Sequence, residues 1–159
     1  MAKAPSADDL AALRERFSEA ITGQREGLGE VTLYVDPRFV VEVCRYLRDD
    51  ARYAFNLLSD LTGVDLGIDQ EPRFEVVYHL YSIPHGHRLR LKAQLPAENP
   101  AVESVTNVWK TANWHERETF DMFGIVFDGH PDLRRILTPD EFTWHPLRKD
   151  FPVRGYDDF

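Results

Sequence analysis

The sequence predicts an α+β fold of two layers. We expect a mixed or mainly antiparallel sheet of about four strands with helices on one face, followed by an irregular C-terminal arm. Three observations predict it. Apolar residues alternate with polar ones over 31–35, 74–80 and 89–95, the period of half-buried strands. They recur at helical spacing over 10–21 and 39–47. After Gly124 both periods stop, and prolines, glycines and paired charges interleave with aromatic rings.

Taken in order, Leu10, Leu13, Phe17 and Ile21 mark a first helix over about 7–21, capped by Ser6 with Asp9 three residues on. Thr22 to Gly27 reads as a loop. Val31, Leu33 and Val35 give a first strand that ends at Asp36-Pro37. Phe39, Val40, Val43, Cys44 and Leu47 form the apolar stripe of a second helix, with Arg38, Glu42, Arg45 and Arg48 opposite. Over 57–66 a turn at Thr62-Gly63 is expected to lead into a short strand. A hairpin follows. Phe74, Val76, Tyr78 and Leu80 share one side of its first strand, and Leu89, Leu91, Ala93 and Leu95 one side of its second, with 82–87 connecting them. Arg73, Glu75, Arg88, Arg90 and Lys92 take the outward positions, so that face should be wet. Val102, Val105, Val108, Trp109 and Ala112 suggest a third helix, continued or restarted over 113–123. Gly124 would stop it in the left-handed conformation. Leu133 to Leu137 have room for a turn or two of helix capped by Asp132. The division is therefore a body, 1–124, and an extended interaction arm, 125–159.

Composition excludes several classes of function. A chain of 159 residues predicts one domain that buries about two thirds of its unfolded surface. The net charge of −8 argues against an extended phosphate-backbone partner. The single cysteine, Cys44, rules out a disulfide within the chain and a cluster held by four of its own thiolates. The first residues lack the apolar core of a secretory leader, and no run of eighteen apolar residues is present.

The chemical motifs are sparse. No glycine-rich nucleotide loop is present. His85, His87, His115, His130 and His145 lack zinc-ligand spacing, so loop and capping roles are expected. Glu116, Glu118 and Asp121 resemble an acid/base cluster only in composition. The structural alternative is that 116–118 bonds to Arg134, Arg135 or Arg148 of the returning arm. Cys44, on an apolar stripe, reads as a small core residue.

The arm is the most informative part. Residues 114–159 hold 9 of the chain's 19 aromatics among alternating Arg and Asp/Glu. Rings and guanidiniums in one irregular segment point to a contact surface, since both residue types are enriched at interfaces. Arg117, Arg134, Arg135, Trp144, Arg148, Lys149 and Phe151 are the expected partner-interface residues. Gly124, Gly129, His130 and Pro131 are the expected turn elements. No catalytic, cofactor-binding or metal-binding residue is assigned.

Several segments carry a family resemblance. They are 116–118, 121–125 with Phe127, the run Gly129-His-Pro-Asp-Leu-Arg-Arg-Ile-Leu137, and Pro146-Leu-Arg-Lys-Asp-Phe-Pro152. Weaker likenesses lie at 63–65, 73–80, 104–106 and 112–114, and Trp144-His145 departs from the pattern. Together these resemble the 30-kilodalton subunit family of NADH-quinone oxidoreductase, respiratory complex I. The resemblance implies a non-catalytic scaffold in the peripheral arm of a proton-translocating enzyme that passes electrons from NADH to quinone. It implies no cofactor on this chain, with FMN and iron–sulfur clusters on sister subunits. It implies packing against the 49-kilodalton subunit and its cluster-bearing neighbours, on the cytoplasmic side of a bacterial inner membrane. An equivalent subunit of a related membrane-bound hydrogenase or ferredoxin/coenzyme-linked dehydrogenase is the alternative. A stand-alone soluble carboxylate/histidine enzyme is a third reading.

Overall fold

The structure is a computed structural model that describes residues 3–156. Helix α1 (Ala7–Arg16) starts as its cap predicts, with Ser6 Oγ accepting the Asp9 amide at 3.1 Å. It ends a turn earlier than the apolar spacing suggests. Phe17 leaves the helical region (φ −112°, ψ 43°), yet the Ile21 amide still donates to Phe17 O at 2.8 Å. Both side chains stay buried, so a tight turn satisfies the same spacing.

The expected loop at 22–27 is instead strand β1 (Ile21–Gly27). Its sequence lacks alternation because it is an edge strand, held by backbone pairing to β2 (Glu30–Val35). A 3-10 turn at Pro37–Phe39 leads into α2 (Val40–Asp49), which buries Val40, Val43, Cys44 and Leu47. Strands β3 (Leu57–Asp65), β4 (Phe74–Ser82) and β5 (His87–Leu95) complete a five-stranded mixed sheet in the order β1-β2-β5-β4-β3. Only β2 and β5 run parallel within it. Within this sheet the strand beyond the four expected is β1.

No turn interrupts β3. Thr62 and Gly63 pair in register with Val77 and Val76. Gly63 is there for packing: a Cβ would stand 2.7 Å from the Phe123 ring and 3.0 Å from the Thr119 methyl. The helix they belong to, α3 (Ala112–Phe123), lies directly on β3. It begins ten residues later than the apolar periodicity suggests. Val102 sits in a short strand, β6 (Ala101–Glu103), paired in parallel with β7 (Val126–Asp128). Val105, Val108 and Trp109 lie in a turn between β6 and α3, and all are buried. Spacing alone cannot tell that turn from a helix, because it too directs these side chains inward.

The core lies between the sheet and the helices: Leu33, Leu47, Phe55, Phe74, Val76, Tyr78 and Leu91 are all essentially inaccessible. Each such side chain contributes roughly 1.5–3 kcal/mol. Two of the outward charges are not wet. Glu75 is 3% exposed, bonded to Lys92 Nζ at 2.7 Å and Gln94 Nε2 at 3.2 Å. Arg73 is 8% exposed, for a reason that lies in the arm.

Candidate functional site: the junction of helix and arm

Two carboxyl groups on α3 organise the rest of the chain. Glu116 and Asp121 are five residues apart, so they leave the helix about 140° apart. Both side chains are fully buried.

Asp121 faces the arm. Its Oδ2 accepts the backbone amides of Ile136, Leu137 and Thr138 at 3.0, 2.7 and 2.9 Å. Its Oδ1 accepts Arg135 Nη1 at 2.7 Å and the Thr138 hydroxyl. Burial works against this charge, but the Thr138 hydroxyl and the three amides outweigh it and hold the carboxyl well below the ordinary carboxylate range. This cradle is why 133–137 forms no helix: its amides bond to a carboxylate and not to carbonyls of a preceding turn. Asp132 caps nothing and pairs with Arg134 at 2.9 Å on the surface.

Farther along, the arm returns to cover the C-terminus of α3. The last carbonyls of a helix have no partner inside it. Here Asp121 O meets His145 Nδ1 at 3.0 Å, Met122 O accepts the Leu147 amide at 3.1 Å, and Phe123 O accepts Arg148 Nε at 2.6 Å. An imidazole and a guanidinium thus sit where the helix dipole favours positive charge. Gly124 makes this approach possible. It sits at φ 72°, and a Cβ would come within 2.6 Å of both Arg148 Nη2 and His145 Nε2.

A second stitch ties the arm to the sheet. Arg73 Nη2 lies 2.8 Å from Asp65 Oδ2 and 2.8 Å from Asp150 Oδ1. Asp65 also accepts the Lys149 amide at 2.8 Å, and Lys149 Nζ reaches Leu66 O at 3.1 Å. The Arg73 side chain packs over the Phe74 ring at 4.8 Å. Burial opposes the Asp65 charge, but its bonds to Arg73, Lys149 and Gly67 still lower its pKa.

The root of the arm is fixed by Arg117 and His130. Arg117 donates to the carbonyls of Arg134 and Arg135 at 3.1 and 3.2 Å. His130 accepts the Asp132 amide on Nδ1 at 2.9 Å and meets Asn113 O through Nε2 at 3.1 Å, joining Gly129 and Pro131 in the turn. The end of the arm is an aromatic cluster. Trp144 stacks on Tyr156 at 4.7 Å, and Phe151 meets the same ring edge-on at 5.5 Å.

Of the residues expected at a partner contact, Arg117, Arg135, Arg148 and Lys149 make bonds within the chain. Arg134 is the exposed one among the arginines, with 69% of its side chain accessible. One expected contact is corrected. Glu116 bonds to no arginine of the arm; it accepts Ser104 Oγ at 2.6 Å and the Val105 amide at 2.7 Å. Glu118 is exposed. Neither the role of Asp121 as the hub nor the Asp65–Arg73–Asp150 stitch is legible in the sequence. The only signal for the stitch was an arginine and an aspartate flanking apolar strand positions, which is common on wet faces.

Among the described residues, no group of three or more His, Cys, Asp or Glu side chains is placed to hold a metal ion, and no helix is long and apolar enough to cross a membrane. Burial raises the thiol pKa of Cys44 far above its ordinary value, with Glu116 adding to the effect.

The fold and the junction define an α+β domain whose conspicuous polar groups fold a C-terminal arm onto its own sheet and helix. Comparison makes this specific. The family model described as respiratory-chain NADH dehydrogenase, 30 Kd subunit, matches residues 33–157. An NADH-quinone oxidoreductase subunit from Geobacter sulfurreducens is 50% identical over 145 residues, covering 91% of this chain and 88% of that one. Its counterpart from a Roseiflexus species is 51% identical over 144 residues, covering 91% and 82%. Among solved structures, the trypsin-resistant fragment (1-134) of Nqo5 superimposes with a TM-score of 0.63 at 35% identity, covering 79% of this chain and 97% of the fragment. A chain of an archaeal membrane-bound sulfane sulfur reductase shares the fold, with a TM-score of 0.75 at 22% identity over 92% of this chain and 85% of that one. The chain belongs to the 30-kilodalton subunit family of the respiratory-chain NADH dehydrogenase. That makes it part of a hetero-oligomeric, membrane-associated NADH-quinone oxidoreductase.

Proposed function

We propose that this subunit is a scaffold in the peripheral arm of the enzyme, with no active site and no cofactor of its own. FMN and the iron–sulfur clusters reside on sister subunits. Its arm lies against the 49-kilodalton subunit and the cluster-bearing neighbours, on the cytoplasmic side of a bacterial inner membrane, and it meets the membrane only through the complex.

One observation carries this reading. The arm's cationic and amide groups are largely engaged by its own body, while Leu137, Leu147 and Val153 stand 63%, 55% and 105% exposed. An arm held rigid from behind with bare apolar side chains in front suits docking, because its ordering entropy is already met before a partner arrives. Arg134, Trp144 and Phe151 border this surface along the chain. The trypsin resistance of the Nqo5 fragment supports a body that folds apart from the rest of its chain. The test is a tagged pull-down from gently solubilised membranes. The sister subunits should co-purify, and Arg134→Ala with Arg148→Ala should lower the amount of assembled complex. Normal assembly with collapsed quinone-reductase turnover would instead place chemistry on this chain.

A further inference from the structure

Glu116 has no structural need for its charge. It is fully buried and has no Lys or Arg among its bonding partners, which are the Ser104 hydroxyl and the Val105 amide. A buried carboxylate without a cation is unfavourable, and such groups normally hold a proton instead. Ser104 Oγ is itself 2.8 Å from Thr106 Oγ1, and Thr106 is half-buried. The three groups therefore form a hydrogen-bonded chain from the interior to the protein surface. Either hydroxyl is able to donate in either direction.

We propose that Glu116 is a proton-binding site that exchanges with solvent through Ser104 and Thr106, and that His130 at the root of the arm responds to its charge. The proton balance is simple. With the carboxylate ionised, Thr106 donates to Ser104 and Ser104 donates to Glu116 Oε2. A proton arriving at Thr106 reverses both bonds. The carboxyl then donates to Ser104, Ser104 donates to Thr106, and the Val105 amide remains bonded to the other oxygen. No hydrogen bond is lost in either state, so the site tolerates both.

The titratable groups around Glu116 come from three elements. Cys44 of α2 and the Tyr78 hydroxyl of β4 are fully buried, both have raised pKa values to which Glu116 contributes, and Tyr78 Oη has no hydrogen-bond partner among the described residues. Both stay neutral. His130 Nε2 is 3.9 Å from Glu116 Oε2 while it contacts Asn113 O at 3.1 Å. Because Nδ1 accepts the Asp132 amide, Nε2 carries the ring proton. Ionised Glu116 draws that N–H toward itself and away from Asn113; protonated Glu116 releases it. Burial raises the Glu116 pKa to about 7, so the exchange falls in the physiological range.

The test is infrared titration of the intact chain with carboxyl-labelled glutamate. A carboxylic acid C=O band should appear as pH falls through about 7 and should be lost in Glu116→Gln, whose amide reproduces the protonated geometry. Ser104→Ala, which removes a bond that favours the charged form, should move the transition to higher pH. In parallel, the His130 ring resonances should show an inflection at the Glu116 transition that Glu116→Gln removes. If no labelled carboxyl titrates near neutrality in the wild-type chain, the site is wrong. If the band titrates but His130 does not follow, the link to the arm is wrong.

Discussion

The body and the arm beyond Asp128 are stabilised by opposite means; the first arm residues, Ile125 and Phe127, are themselves buried in the core. In the body, Leu33, Leu91 and Tyr78 meet across three adjacent strands with almost no exposed surface, and the energy is that of apolar area removed from water. In the arm, the decisive contacts are polar: one carboxylate takes three amides, one arginine bridges two aspartates, and three helix carbonyls take arm donors. The difference has a consequence. An apolar core unfolds as a unit, whereas an arm held at a few polar points can be detached one point at a time.

The largest effect should come from the body. Leu91→Ala removes a side chain that is 1% exposed and should cost about 2–5 kcal/mol. Chemical denaturation followed by fluorescence and by far-UV dichroism should show one coincident, shifted transition. Asp121→Asn breaks the comparison from the other side. It leaves one acceptor oxygen where there were two, so either the amides of 136–138 or Arg135 Nη1 must face an NH2 donor, and the change should cost roughly 2–4 kcal/mol, localised to the arm. Limited trypsin digestion should then cut after Arg134 or Arg135 while the body's melting temperature moves little.

The pH dependence separates the two α3 carboxyls. The Asp121 pKa is lowered by folding, so its contribution is complete above the ordinary value of 3.8 and is lost as pH falls through the lowered one. The Glu116 pKa is raised from 4.5 to about 7, so its contribution is complete below 4.5 and is lost as pH rises through 7, by an amount on the order of 3 kcal/mol. Thermal melts of the wild type against Glu116→Gln should therefore diverge between these pH values and run parallel above them. Gly124→Ala should cost about 1–3 kcal/mol, from strain at positive φ and collision with Arg148 and His145. Arg134→Ala should change the isolated chain by no more than about 1 kcal/mol, since its pairing with Asp132 is at the surface. Its effect should be read in assembly and not in melting.

Much of the body was legible in the sequence. The β4–β5 hairpin and α2 follow from periodicity because their buried faces are regular. β1 was not legible, because an edge strand needs only backbone pairing and shows no alternation. Gly63 reads as a turn residue, yet it is a contact point for Phe123, and only the packed helix shows which. The irregular backbone of the arm was legible from its prolines, glycines and paired charges, and the stop at Gly124 was correct in both position and conformation. What its charges bond to was not legible. Asp121 reaches residues 14 to 17 positions away, and Arg73 reaches Asp150 across 77. Such pairings depend on where an irregular chain returns, and local pattern carries no record of that.

Hydrogen exchange of the isolated full-length chain, compared with the same subunit in the assembled enzyme, tests the central claim most directly. The amides of Ile136, Leu137, Thr138 and Leu147 should be protected already in the isolated chain, and that of the exposed Val153 should gain protection only on assembly. Fast exchange at 136–138 in the isolated chain, or no gain at Val153 in the complex, would contradict an arm that is latched from within and docks from without.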